Sequence, residues 1–442
     1  MSLFFCDFCF TREAEPDYDA LIASCRKIFN QNQNNKKVKK QLSVLYHNYG
    51  NELAKQEKWL KAIQNEKQAY KLCPDEQIIQ ETLSSLYNAY AGTLKEQGKL
   101  QECLHYLQSA LDYFQGNPRI GKNISVVYTD LAYQEFMKSN YWKCKQFLNK
   151  AADFDQENAS LYVLRGELAY NQDDYDEAAK NWEKALEFNS ELSEVRERLE
   201  KMQKEKGLER NFKTIRTGSF KIKFAAAAKH DLADSVVKIL QNAYRDVGQN
   251  FNTFPNSVIQ VIIYPEEKLA NLGYFPDWAG GIYDGKIRFG EQVGEHALHM
   301  KPILYHEYTH VLVRILAGNN APLWLNEGLA EYEAKPFKKV KMRKARKQLL
   351  LKAVRKDELF DFTDIAQMNL TQLGQLESGK IELVYAQSEY FVSYLINRFS
   401  LYHLVELLGC LGKGDTIDQA IDRTFYFDLN TLVTDWKNKM RG

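Results

Sequence analysis

The chain has 442 residues, too many for one compact core of ordinary size and enough for two or three domains. Its composition, 45% hydrophobic, 26% charged and 13% aromatic, excludes a disordered chain or a membrane bundle. A formal net charge of +1 gives no general reason to expect nucleic acid or an anionic surface as the main partner.

The opening MSLFFCDFCF is apolar but has no basic start, no long apolar stretch and no small-residue cleavage site, so it does not read as a signal peptide. No later run approaches the roughly 18 apolar residues of a spanning helix. The expectation is therefore a cytoplasmic protein without a membrane span; a leader already removed would make it periplasmic or secreted. Seven cysteines, Cys6, Cys9, Cys25, Cys73, Cys103, Cys144 and Cys410, are scattered and odd in number, which points away from a disulfide framework and toward a reducing compartment. Cys6 and Cys9 have CxxC spacing but no second pair, and read as a buried apolar turn. Pro16 to Asn30 reads as a helix, and NQNQNNKKVKK after it as a solvated linker, so that residues 1–40 form a helical segment and linker of their own.

From residue 41 to 205 the chain repeats itself. Tyr128, Tyr141, Ala151 and Phe154 recur 34 residues later as Tyr162, Tyr175, Ala185 and Phe188. Earlier copies place Tyr46, Gly50, Trp59, Ala62, Ala69 and Pro74, then Tyr87, Ala91, Leu100, Cys103 and Ala110, at matching positions, giving about four repeats. Small residues let two antiparallel helices approach closely, and aromatics fill the space between pairs. The array resembles tetratricopeptide-repeat (TPR) proteins. That resemblance implies an α-solenoid with a concave surface for a protein partner or substrate segment; the bland alternative is a rigid spacer or dimerisation element.

Near residue 206, after the charged helix ending in LEKMQKEKG, the pattern changes. Phe220 to Ala226 and Val258 to Tyr264 read as strands with a helix between them, and GGIYDGKIRFG as an edge strand or hairpin. From Pro302 onward the chain reads as helical. The predicted class is thus α+β and mostly helical, with a small mixed sheet and a helical lobe over 206–442.

The sequence YHEYTHVLVRI contains His306, Glu307 and His310 as an HExxH motif. Residues four apart on a helix share a face, so both imidazoles can bind one ion, while Glu307 can reach a water there without binding the metal. Two neutral histidines and a carboxylate on an apolar helix are costly to bury unless something compensates them, and a metal does. A third ligand is best sought in APLWLNEGLAEY, where Glu327 and Glu331 are four apart: one can ligate while the other accepts the free N–H of a ligand histidine.

HEYTH and NEGLAEY, with 16 residues between His310 and Glu327, resemble the gluzincin peptidases, most closely the peptidase MA-like family, whose members often carry TPR repeats. The resemblance implies one Zn2+ per chain held by His306, His310 and Glu327, with Glu331 facing His306 and Glu307 as general base. The spacing is slightly shorter than in the aminopeptidase branch. VYAQSEYFVSYLINRF resembles the gluzincin helix whose tyrosine stabilises the tetrahedral intermediate, and the matching residue is Tyr385; its bland reading is a packed aromatic. WAGGIYDGKIRFG resembles the edge strand that pairs with substrate, which makes Gly280, Gly281, Ile282 and Tyr283 candidate substrate-binding residues. The G-x-M-E-N segment of the aminopeptidase branch, which holds a free amino terminus, is missing.

His296 and His299 read as exposed or substrate-contacting rather than as a second metal site. The basic run Pro336 to Lys356 reads as a solvated or internally paired helix face, with no aromatic pattern for nucleic acid. The function expected is zinc-dependent hydrolysis of protein or peptide substrates, with the TPR array recruiting substrate or partner. The competing reading is a catalytically silent TPR scaffold that keeps a structural zinc.

Overall fold

A computed structural model of the protein describes residues 16–225, 230–265, 280–291 and 297–441. It has the expected α+β class, with helical hairpins in the first half and a small mixed sheet with helices in the second. The chain forms two compact units: one runs through Tyr128 and includes Asp153–Gln156, the other comprises Thr129–Ala152 and Glu157–Gly442.

In the first unit, α1 (Tyr18–Gln31) packs on α2 (Lys36–Lys55), α2 pairs with α3 (Trp59–Leu72), and α4 (Gln77–Glu96) pairs with α5 (Leu100–Tyr113). Ala62, Ala69, Ala91 and Ala110 are fully buried where the helices meet. A Cβ on Gly50 would stand 3.2 Å from the Ala62 carbonyl oxygen, so these small side chains set the helix spacing. Tyr87 stacks on Tyr113 with ring centroids 5.5 Å apart. The basic run read as linker is mostly helix. The Asn35 side chain accepts hydrogen bonds from the Lys37 and Val38 N–H groups, which caps α2 and draws KKVKK into its first turns. Next come α6 (Pro118–Met137) and α7 (Tyr141–Phe154).

The second unit contains the hairpin of α8 (Ala159–Asn171) and α9 (Tyr175–Phe188), followed by α10 (Ser193–Glu209). Tyr162 packs on Phe188 at 5.5 Å between centroids. After α10 come β1 (Phe212–Arg216), β2 (Phe220–Ala225), α11 (His230–Phe251), β3 (Ile259–Tyr264), β4 (Gly281–Tyr283) and β5 (Ile287–Gly290). The strand order is β1-β2-β3-β5-β4, with β2, β3 and β5 parallel and β1 and β4 antiparallel to their neighbours. β1 went unread because its residues are half-exposed and lack an alternating apolar pattern.

Both faces of the sheet are covered, and the alternation of β2 shows how. Phe220, Ile222 and Phe224 enter the main core with Val236, Leu240 and Ala243 of α11. Lys221 and Lys223 point the other way, to the acidic residues of the α8–α10 side: Lys223 Nζ donates to Asp173 at 2.7 Å and to Glu209 at 2.9 Å. On β5, Arg288 is fully buried and bonds Glu205 (3.1 Å), Tyr264 Oη (2.8 Å) and Tyr170 Oη (2.7 Å). Lys286 lies 3.9 Å from the Tyr170 ring centroid, and burial beside Arg288 pushes its ammonium down to about 8.

The helical lobe comprises α12 (Ala297–Ala317), α13 (Leu323–Ala334), α14 (Val340–Lys356), α15 (Phe362–Gln367), α16 (Leu370–Gly374), α17 (Ser378–Phe399), α18 (Leu401–Gly412), α19 (Ile417–Phe425) and α20 (Leu429–Arg441). α12 packs on α11 and α13, and α13 on α17. Trp324, Phe362, Phe391 and Trp436 form an aromatic cluster holding this lobe together. At Gly328 a Cβ would fall 2.6 Å from the Ser388 carbonyl oxygen, so glycine is what lets α13 lie against α17. Cys25, Cys73, Cys103, Cys144 and Cys410 are free thiols, while Cys6 and Cys9 lie outside the described residues. Among the described residues no helix is long and apolar enough to cross a membrane.

Candidate metal centre

α12 presents His306 and His310 on one face, with ring centroids 4.7 Å apart. α13 begins at a proline-led turn and brings Glu327 opposite them. Glu327 Oε2 lies 3.3 Å from His306 Nε2 and 3.6 Å from His310 Nε2, and one ligand atom from each residue falls within 4.8 Å of the others. Bonds of 2.0 to 2.1 Å in a tetrahedron put ligand atoms about 3.4 Å apart, which these spacings match. Glu327 Oε2 is buried and has no hydrogen-bond partner among the described residues. A buried carboxylate oxygen facing two imidazole nitrogens suits a cation between them. By donor type and spacing, the three residues fit a single divalent ion.

The outer nitrogens of both rings are held from behind. His306 Nδ1 is 3.4 Å from Glu331 Oε1, and His310 Nδ1 is 2.9 Å from Asn326 Oδ1. Both Nε2 atoms are thereby turned toward Glu327. Glu331 also pairs with Lys338 and Arg346, and Arg346 reaches Glu389 and Glu382, each at 3.2 Å. Burial disfavours the Glu331 anion, yet His306, Arg346 and Lys338 outweigh it and hold the carboxyl well below its usual range. The run Pro336 to Lys356 is therefore partly neutralised within the fold. Sequence reasoning missed Asn326 as a partner of His310. Its place one residue before Glu327 was the available signal.

The charges here are unbalanced. Burial opposes the His306 cation, but Glu327 and Glu331 lift the ring to about 10. His310 is lowered by burial and by His306. Burial, then the nearby Glu327 and Asp284 carboxylates, push Glu307 up to about 8 against the pull of His306. Glu307 Oε2 is also buried without a hydrogen-bond partner among the described residues.

The ten residues expected to act in catalysis, metal binding, histidine support or substrate binding line one cleft of about 690 Å³. Tyr385, on α17, has its ring centroid 6.4 Å from that of His306. Burial, Glu327, Glu331 and Glu307 raise its hydroxyl well above the normal value, so it remains a proton donor. β4 stands at the end of the sheet order. A Cβ would lie 2.7 Å from Ile303 at Gly280 and 2.9 Å from the Glu307 carboxylate at Gly281, so the glycines bring this strand against α12. Ile282 and Tyr283 line the cleft beside them, as does His299 from the first turn of α12. Trp278, Ala279 and His296 lie outside the described residues.

Residues 240–442 match the family model of the Peptidase MA superfamily, and residues 159–192 match that of the tetratricopeptide repeat. The chain thus carries a Peptidase MA superfamily domain preceded by TPR repeat sequence. No curated protein matches it. Among solved structures it is similar to a tetratricopeptide repeat protein from Parabacteroides merdae, at 15% identity over 78% of this chain and 98% of that one, with a TM-score of 0.26. It is also similar to a thermophilic TPR protein from Thermus thermophilus (19% identity, 42% and 90% coverage, TM-score 0.19). A third is pilF of Pseudomonas aeruginosa (18% identity, 40% and 70% coverage, TM-score 0.23).

Proposed function

We propose that the Peptidase MA domain hydrolyses peptide bonds of protein or peptide substrates with one zinc ion, and that the TPR array recruits substrate or a protein partner. The observation that carries this reading is the convergence of His306 Nε2, His310 Nε2 and the buried Glu327 Oε2. Two imidazoles and a glutamate are a donor set suited to catalytic zinc. Bound there, zinc supplies Lewis acidity, polarising a carbonyl and lowering the pKa of water.

The chain's own groups do the rest. Glu307 accepts a proton from the attacking water and passes it to the leaving amine, and burial makes its carboxylate a stronger base than an exposed one. Tyr385 donates a hydrogen bond to the oxyanion that develops on the scissile carbonyl. A substrate strand on the outer edge of β4 lies beside Glu307, because Gly281 packs on that side chain.

The test combines metal analysis with cleavage of a broad peptide library. Wild type is expected to hold about one zinc per chain and to cut unstructured peptides. Glu307→Gln should keep the metal and lose roughly 10²- to 10⁴-fold in rate. Equal cleavage by both proteins overturns the mechanism. Zinc binding without cleavage by wild type, with chelation lowering only the melting temperature, identifies the silent scaffold instead.

A further inference from the structure

We propose that Arg314 forms an anion subsite in the cleft that takes a carboxylate of the substrate; this rests on the peptidase reading. His306, His310 and Arg314 are spaced by four along α12 and so share a face, and all three line the cleft. Arg314 is half-buried, and its guanidinium carbon lies 5.9 Å from the Tyr283 ring centroid. No described carboxylate is within ion-pair distance of it. The acid nearest in the chain to this ring, Asp284, is engaged by Lys201 at 2.7 Å and Arg288 at 3.2 Å. The other arginine of the cleft, Arg346, is already paired with Glu331, Glu382 and Glu389.

A guanidinium keeps its charge at any physiological pH and presents a planar fork matched to a carboxylate. Half-buried, and without an ion-pair partner among the described residues, it gains most from an anion that enters the cleft. The C-terminal end of α12 favours a cation at this position, but that alone does not require the side chain to line the cleft beside the candidate metal site.

The geometry also says which part of a substrate it meets. β4 runs from Gly281, against Glu307, to Tyr283, near Arg314. A substrate strand antiparallel to β4 brings residues on the N-terminal side of the cleaved bond to Arg314, where an acidic side chain supplies the carboxylate. A parallel strand brings the C-terminal side, where the chain's terminal carboxylate can also supply it.

Zinc-loaded full-length protein is tested on paired fluorogenic peptides that differ only as glutamate against glutamine, on either side of the cleaved bond, or as free acid against C-terminal amide. The same peptides are titrated by fluorescence anisotropy against zinc-loaded Glu307→Gln, a readout without cleavage. One carboxylate position should be preferred about tenfold. The preference should fall to near unity in Arg314→Gln, persist in part in Arg314→Lys, and reverse toward the uncharged member of the pair in Arg314→Glu. The position preferred separates side chain from terminus. Equal handling of every pair by wild type, in cleavage and in binding, overturns the subsite, as does a preference that survives Arg314→Gln. Cleavage without preference sinks the subsite alone, whereas Arg314-dependent binding without cleavage by wild type sinks the peptidase reading and keeps the subsite.

Discussion

The second unit contains two buried clusters of charge, and they are built differently. Beneath the sheet, Asp173, Glu205, Glu209 and Asp284 each meet a lysine or arginine, and Tyr170, Tyr175 and Tyr264 close the remaining hydrogen bonds. In the cleft, Glu331 is equally well paired, but one oxygen of Glu307 and one of Glu327 have no hydrogen-bond partner among the described residues. The first cluster satisfies itself, as a structural one must. The second is complete only with something added. Buried charge therefore points to a ligand where it is left over, not merely where it is abundant.

Breaking the first cluster should have the largest effect. Arg288→Met leaves Glu205 and Asp284 without their buried partner, and should cost about 3 to 5 kcal/mol in urea unfolding while the folded fraction still takes up zinc. A cost below about 1 kcal/mol would remove the structural half of the contrast. The second cluster should respond to metal instead: zinc at about 100 times its Kd should stabilise wild type by about 2.7 kcal/mol, read as a higher melting temperature. Glu327→Gln should abolish that gain, and an undiminished gain would mean the ion sits elsewhere.

A buried carboxylate outside both clusters sharpens the comparison, because it has an amide partner but, among the described residues, no cation. Glu333 accepts from Asn250 Nδ2 at 3.1 and 3.0 Å, and burial with the Asp246 charge raises it to about 7 despite that bond. A folded pKa above the unfolded value means that the native state binds the extra proton between about 4.5 and 7, so stability falls as pH rises through that window. Between pH 5 and 8 wild type should lose roughly 2 kcal/mol relative to Glu333→Gln, measured as paired urea titrations. The smallest effect expected is that of Asn326→Ala. Freeing the His310 ring from its rear support should weaken zinc binding about tenfold by competition with a chelator, leaving unfolding in the absence of metal nearly unchanged.

What the sequence disclosed is what local spacing encodes. The period of 34 residues exposes Tyr162, Ala185 and their kin, the HExxH motif places two ligand candidates one helical turn apart, and the NEG segment offers a third after 16 intervening residues. Spacing left the roles of Glu327 and Glu331 open, and the gluzincin resemblance assigned Glu331 to His306. The fate of Lys221 and Lys223 was not legible: the segment reads only as a strand, yet these two side chains are covered by residues far away in the chain. Arg288 likewise finds Glu205 and Tyr170 across 83 and 118 residues. No pattern within one segment reports such a partner. Arg314 passed unremarked because an arginine near a helix end is ordinary until the cleft is seen beside it.

The turn after β4 is bolted to α10, through Asp284 and Lys201. A polypeptide cut at the change of sequence pattern, and beginning at β1, would keep Lys223, Lys286 and Arg288 but lose Asp173, Glu205 and Glu209. Lys223 and Lys286 would then lose their carboxylates, and Arg288 would keep only Asp284. The peptidase-like half thus borrows part of its interior from the helices that precede it.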